Sequence, residues 1–275
     1  MSRHPELPIL LLALVTALVA GAAPIRAESD AEVEACLTEG EIHGTGEELV
    51  GLTRPLKVEV ECGEAKRLAL FKYVDEHERG MTRMADGSWE FNFSDSYLYD
   101  RAAYLLDRRL GLDMVPVVVP RRYRGRSGVL VAWIHDVVHE NRVSHPFRGA
   151  RLAAFIRQKS RMHLFDSLIY NTDRRAENEL VDESTGKLYL IDHTRAFRET
   201  VELREEFAEG RVWLSRELYD NLLGLSSESL GELTDGLISK AQLEALLARR
   251  DLIIAKIDRD REQYGDESVF GSPDS

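Results

Sequence analysis

Apolar and polar positions alternate with period two over Leu56, Val58, Val60 and Cys62, stop at Gly-Glu-Ala-Lys, and resume over Leu68, Leu70 and Lys72. Such alternation, broken by turn residues, predicts a β-hairpin, and this one carries a single inward lysine. The period then changes. In SDSYLYDRAAYLLDRRLG, Ala103, Leu106 and Leu110 recur at helical spacing, Asp100 falls near the first turn and Gly111 closes the C-terminal end, so a helix is predicted there. Two further strands, MVPVVVP and GVLVAWI, flank the basic stretch RRYRGRS, whose arginines read as a solvated hairpin tip. Beyond them the pattern turns helical. Gly149 to Ile169 reads as one helix, KLYLIDH as a strand ending near Asp192, and helices resume after it. Ser239 with Gln242 has the form of a capping box, and Leu243, Leu247, Ile254 and Ile257 give an apolar side through Tyr264.

This order predicts an α+β chain of two lobes with a cleft between them: residues 28–134, an antiparallel sheet with one packed helix, and residues 135–264, mainly helical. Residues 265–275, GDESVFGSPDS, read as a polar flexible tail. Residues 1–27 stand apart. Arg3 and His4 precede LPILLLALVTALVAGAA, an uninterrupted apolar run followed by small residues, which reads as a signal peptide or an N-terminal anchor. Two cleavage positions compete, one after Ala27 and an earlier one set by Ala20 and Ala22. Either outcome exports the body, and membrane contact is expected only through an uncleaved leader. In that compartment Cys36 and Cys62 have two readings: one disulfide joining the first segment to a strand, or two unpaired thiols.

With 275 residues, 44% hydrophobic and 31% charged, the chain can bury a sizeable core. A formal charge of −12 gives no footprint for nucleic acid or for an anionic membrane surface, so neither is expected as a partner. No CxxC pair points to zinc. His135 and His139 stand four apart, but no third ligand follows at a known spacing and the segment is not HExxH.

The candidate chemistry lies in NTDRRAEN and LIDHTRAF. Asp173, Asn178 and Asp192 are three oxygen-bearing side chains at loop and strand ends, a set suited to a hard divalent cation and to orienting a hydroxyl. The bland reading of the loop is an Asx-rich turn in which Asp173 and Asn178 bond local backbone. Lys72 is either an edge lysine reaching for water or a lysine that neutralises phosphate. Asp100 is either a helix-start carboxylate favoured by the macrodipole or the partner of Lys72. Gly44, Gly46 and Gly51 suit a flexible loop without forming GxxxxGK[ST] or GxGxxG.

Together these segments resemble the atypical kinases of the phosphatidylinositol 3- and 4-kinase type and their bacterial and secretory-pathway relatives, over roughly Gly51 to Phe197. The resemblance implies a two-lobed protein-kinase-like fold that uses ATP and Mg²⁺. By the same resemblance Asp173 orients the acceptor hydroxyl, Asn178 and Asp192 bind metal, and Lys72, paired with Asp100, meets the nucleotide phosphates. GLTRPLKVEVECGEAKRLALFK would be the phosphate loop and lysine hairpin, AAYLLDRRLGLDMVP the C-helix and following strand, and VLVAWI the adenine-side linker. Two departures stand out. Asp100 occupies a place where relatives carry Glu, which shortens its reach to Lys72 by one methylene, and Arg175 replaces the His that follows DR in lipid kinases. The implied function is phosphoryl transfer from ATP to a hydroxyl of an unidentified protein, small-molecule or lipid acceptor, with nucleotidyl transfer as a variant. The alternative is an exported kinase-fold pseudoenzyme serving as a binding or scaffold module, which export and Asp100 favour.

Overall fold

The computed structural model describes residues 28–48, 55–84, 87 and 89–271. The leader, Gly51 and the last four residues lie outside them. Helix α1 (Asp30–Glu39) and strand β1 (Glu41–Glu48) lead into the hairpin, β2 (Leu56–Cys62) and β3 (Ala65–Lys72). Four strands of three residues follow: β4 (Asp75–His77), β5 (Met81–Arg83), β6 (Trp89–Phe91) and β7 (Ser94–Ser96). Then come helix α2 (Tyr97–Leu110), β8 (Val118–Tyr123) and β9 (Arg126–Ala132). The main sheet is antiparallel in the order β1-β2-β3-β9-β8. Both α1 and α2 pack on it, one helix more than the sequence pattern predicts.

The hairpin register explains where Lys72 points. Leu56 lies opposite Phe71 and Val58 opposite Ala69, so these four share one face, and Val58, Ala69 and Phe71 are fully buried on it. Lys72 therefore shares the other face with Leu68 and Leu70. Gly44 and Gly46 sit within β1 rather than in a loop. The basic stretch also differs from expectation. Strand pairing continues to Tyr123 opposite Arg126, and only Arg124 and Gly125 turn, with φ of 49° and 78°. Two consecutive left-handed residues match the twist of the flanking strands, so the strands run almost to the tip.

Helix α2 begins at Ser96, whose side chain accepts from the Leu98 amide, and stops at Gly111 in the left-handed region. Its buried residues include Ala102, Ala103, Leu106 and Leu110, and also Asp100 and Asp107. Asp107 accepts from the backbone amides of Met114 and Val115, which fixes the turn out of the helix.

The second lobe holds β10 (Val138–His139), α3 (Gly149–Ile169), β11 (Glu179–Val181) and β12 (Leu188–Leu190), with the strands in the order β10-β11-β12. Helices α4 (Glu205–Ala208), α5 (Arg216–Leu223), α6 (Ser227–Leu233), α7 (Lys240–Tyr264) and α8 (Asp266–Phe270) complete it. The capping box at Ser239 and Gln242 is present. The buried stripe of α7 runs through Leu246, Arg249, Ile253 and Ile257, rotated around the helix by about one residue from the predicted side. Arg249 is accommodated because it donates to the carbonyl oxygens of Leu168, Arg198 and Thr200, which ties α7 to the end of α3 and to the segment after Asp192. Residues 266–270, expected in a flexible tail, form α8. Val269 is buried and its carbonyl accepts from the Leu214 amide.

Cys36 and Cys62 form a disulfide with Cα atoms 5.4 Å apart, joining α1 to β2. Among the described residues no helix is long and apolar enough to cross a membrane.

Candidate active site

Lys72 is the last residue of β3 and lies opposite Val129 of β9. A Cβ at the adjacent Gly128 would overlap the Lys72 carbonyl oxygen and the Phe71 ring, so only glycine lets β9 run this close. The Lys72 ammonium lies 2.5 Å from Asp100 Oδ2 and 2.8 Å from Asp192 Oδ1. The ion pair with Asp100 forms despite the shorter side chain, because the backbone amide of His193 donates to Asp100 Oδ1 at 2.9 Å and holds the carboxylate in place. Burial pulls the Lys72 pKa down, but the Asp100 and Asp192 carboxylates outweigh it and leave the pKa raised. Burial opposes ionisation of Asp100 too, and Lys72 overcomes it, leaving that carboxyl below its ordinary range. The two carboxylates differ in access. Asp100 is 3% exposed and Asp192 is 37% exposed, so only the second can also meet a ligand from solvent.

Asp192 follows β12 in the left-handed region, with φ of 59°. A non-glycine residue held there is strained backbone set by its surroundings. Its neighbours show how it is held: the Ile191 carbonyl accepts from Arg174, the His193 amide is bound to Asp100, and Thr194 Oγ1 donates to Asp192 Oδ1 at 3.2 Å.

The loop after α3 is organised from inside the helix. Tyr170 ends α3 in the left-handed region, and Asn171 Oδ1 accepts from the Asp173 amide. Asn178 Nδ2 donates to the Asp173 carbonyl at 2.7 Å. The Asn178 bond is the local turn bond of the bland reading, whereas the Asp173 carboxylate is paired with Arg175, and the Asn178 side-chain oxygen is the atom of that residue that could meet a cation. Asp173 is paired with Arg175, Nε to Oδ1 at 3.2 Å, and that arginine is 63% exposed. Asp173 itself is 23% exposed, less than Asp192, and its ion pair is with Arg175, while Lys72, Asp100 and Asp192 meet one another.

Arg174 is the hub that the sequence reading did not single out. It donates to both carboxylate oxygens of Asp166, to the carbonyls of Asn178 and Ile191, and to His193 Nε2. An arginine only donates, so His193 Nε2 accepts and its proton sits on Nδ1, facing Asp100. Burial, opposed by the bond to Asp100, lowers the His193 pKa and keeps the ring neutral. The available signal was Asp166, a carboxylate inside the apolar run HLFDSLI. Buried charges of that kind need a partner.

Asp95 of β7 is a second missed residue. It is 6% exposed, and burial raises its pKa. Its buried Oδ1 has no hydrogen-bond partner. Among the described residues no three Asp, Glu, His or Cys side chains make a metal cage by themselves. The oxygen donors of Asn178 and Asp192 fit Mg²⁺ or Mn²⁺ that takes its remaining ligands from water and phosphate.

A cavity of 1140 Å³ adjoins the loop, lined in part by Tyr99, Tyr170, Thr172, Arg195 and Arg198. It reaches the neighbours of Asp173 and Thr194 but not Lys72, Asp173 or Asp192, so it flanks the charged cluster. Glu90 of β6 pairs with Arg195 and Arg198 at its wall.

A lysine on an antiparallel sheet, held by a helix carboxylate and by an aspartate beyond a short strand of the helical lobe, belongs to a two-lobed protein-kinase-like fold. Solved structures of similar shape agree. The chain is similar to hydra Fam20 with sugar, at TM-score 0.60 and 16% identity over 88% of this chain and 93% of that one. It is similar to the Golgi casein kinase, solved also with Mn/ADP bound, at 0.55 and 13% over 90% and 81%. It also resembles the Helicobacter pylori proinflammatory kinase CtkA, at 0.50 and 12% over 82% and 96%. These neighbours are atypical kinase-fold proteins, and at such identities the likeness is one of fold. No protein-family model matches the chain, and no curated protein matches it.

Proposed function

We propose that the chain is an exported phosphotransferase that uses ATP and a divalent cation to phosphorylate a hydroxyl group. The observation that carries this reading is the contact of Lys72 with both Asp100 and Asp192, which joins the sheet, the helix and the second lobe at one buried charge. Phosphoryl transfer needs charge neutralisation and in-line positioning more than covalent help. In this assignment Lys72 neutralises nucleotide phosphate, Asp100 positions Lys72, and Asn178 and Asp192 hold Mg²⁺ or Mn²⁺. The bound cation supplies neutralisation of phosphate charge. Asp173 orients the acceptor hydroxyl and takes its proton. Arg175, exposed and paired with Asp173, gives way at small cost, because an exposed ion pair contributes only about 0–1 kcal/mol.

The Mn/ADP complex of the Golgi casein kinase supports nucleotide and divalent metal as ligands. Likeness to the phosphatidylinositol 3- and 4-kinase type remains part of this proposal through the two motifs, as does export through the leader. The binding-module reading loses one of its supports, since Asp100 reaches Lys72 without the extra methylene of Glu. The deciding experiment is calorimetric ATP binding to the purified mature protein with Mg²⁺, Mn²⁺ or EDTA, followed by mass analysis for transferred phosphate or adenylate. Metal-dependent ATP binding and a phosphorylated product are expected. An absence of ATP binding at saturating metal overturns the assignment.

A further inference from the structure

Asp100 can position Lys72 only if α2 is itself held, and several of the bonds that hold it come from the second lobe. Just before the helix, the Ser96 amide donates to the Thr194 carbonyl at 2.9 Å. In the first turn, the His193 amide donates to Asp100 Oδ1 at 2.9 Å. Both bonds lead to the two residues that directly follow Asp192, so they tie α2 to that segment and not to α7. Asn221 Nδ2 of α5 donates to the Leu110 carbonyl at 3.0 Å, but this is about 15 Å along the helix from Asp100.

The tie to α7 is made by Tyr99, the residue before Asp100. It is 2% exposed, and Gln242 Nε2 donates to its hydroxyl at 2.6 Å. Its ring lies 5.6 Å from that of Phe197, the last residue of LIDHTRAF. Gln242 serves two elements at once. Its Oε1 accepts from the Ser239 amide at 2.7 Å and closes the capping box of α7. Glu closes such a box equally well, and the positive end of the helix dipole favours the acid. The amide nitrogen is what Gln adds, and Tyr99 is its partner. Both residues line the 1140 Å³ cavity, so the bond lies in the cavity wall.

We propose that Gln242 and Tyr99 are positioning residues for phosphoryl transfer: their bond refers α2 to α7 and so keeps Asp100 on Lys72. The role rests on the reading that Lys72 meets nucleotide phosphate, but the placement of Lys72 can be measured without nucleotide. Loss of the bond lets α2 depart more often. Each departure removes one carboxylate from Lys72 and opens to solvent an amine that is otherwise 7% exposed.

The test is acetylation of the nucleotide-free mature protein by acetic anhydride, with the rate at each lysine read by peptide mass analysis. Lys256 of α7, buried in its own pair with Asp260, reports general loosening. In Tyr99→Phe the rate at Lys72 is expected to rise about fivefold, the population change that one lost hydrogen bond produces, with the rate at Lys256 unchanged. Gln242→Ala is expected to give the same selective rise, and the double variant no further rise than either alone. An unchanged Lys72 rate in Tyr99→Phe overturns the inference. Equal rises at Lys72 and Lys256, or additive rises in the double variant, overturn it too. If Gln242→Ala fails to fold for want of its cap, Tyr99→Phe, which removes a single oxygen, decides alone. Failure of the phosphotransferase reading looks different: the selective rise is seen, but the wild type binds no ATP.

Discussion

Lys72 Nζ stands 2.5 Å from Asp100 Oδ2, with the lysine 7% and the aspartate 3% exposed. The pair is formed from the shorter acid with the His193 amide holding Asp100 Oδ1 at 2.9 Å, and Ala102, Ala103 and Phe71 are fully buried in the same lobe. Removing one partner of a buried pair costs more than the pair contributes. Asp100→Asn is therefore expected to destabilise the protein by about 3 kcal/mol. Asp100→Glu adds a methylene to a filled site and should cost about 1–3 kcal/mol. Chemical denaturation of both variants measures this. A Glu variant more stable than wild type would show that the site is loose.

Asp173 and Asp192 should separate binding from transfer. Asp173→Asn keeps the shape of the loop and is expected to bind ATP normally while losing about 10²-fold or more in transfer rate. Asp192→Ala is expected to lose metal-dependent ATP binding itself. Calorimetry and single-turnover phosphate transfer distinguish the two phenotypes. Unchanged transfer in Asp173→Asn removes that residue from the proposed chemistry.

Arg174 holds Asp166, the Asn178 carbonyl, the Ile191 carbonyl and His193 at once. A lysine cannot reproduce that fork. Arg174→Lys is expected to cost about 3 kcal/mol by leaving Asp166 imperfectly paired in a buried position. It should also slow transfer, because the loop carrying Asp173 and the residue before Asp192 lose their common tie. Equal stability and equal transfer rate in this variant would show that the hub is dispensable.

The pH dependence of the same hub has a definite sign. The His193 pKa is lowered in the folded protein, chiefly by burial. Between that lowered value and the ordinary His range near 6.5 the unfolded chain binds more protons, so this residue's contribution to stability falls as pH drops through the window. Above about 6.5 the contribution is complete. Protonation would also set an imidazolium against Arg174 at 3.0 Å. A ring titration followed by NMR should give a midpoint below about 6.5, and a midpoint above it would show that the Asp100 carboxylate outweighs burial at this ring.

What the sequence made legible was what local pattern and short motifs encode. Period-two alternation gave the hairpin and with it the placement of Lys72, and helical spacing with a left-handed glycine gave α2. Asp173, Asn178 and Asp192 were visible because their spacing within two short motifs is itself the signal. Arg174 and Asp166 were not, since their pairing depends on where α3 ends and a loop folds back. The inner face of α7 was misjudged because an arginine that bonds three carbonyls from distant segments counts as polar in any periodicity. Strands β4 to β7 are too short to alternate, so Asp95 passed as the approach to a helix. Its burial exists only once β7 lies against the Thr194 segment.

The bond between Cys36 and Cys62 makes maturation a redox event. It closes a loop of about 26 residues that contains β1, and the hairpin it anchors ends in Lys72. Closing a loop of that size contributes about 3 kcal/mol in the chain-entropy account. A chain folded under reducing conditions must hold α1 to the sheet without the covalent tie, through the burial of Leu37 and the bonds that Arg121 donates to the Leu37 and Thr38 carbonyls, and begins its life short by that amount. Oxidation is then the step that finishes the small lobe, so the lysine hairpin acquires its full stiffness when the thiols meet an oxidant and not when the ribosome lets go.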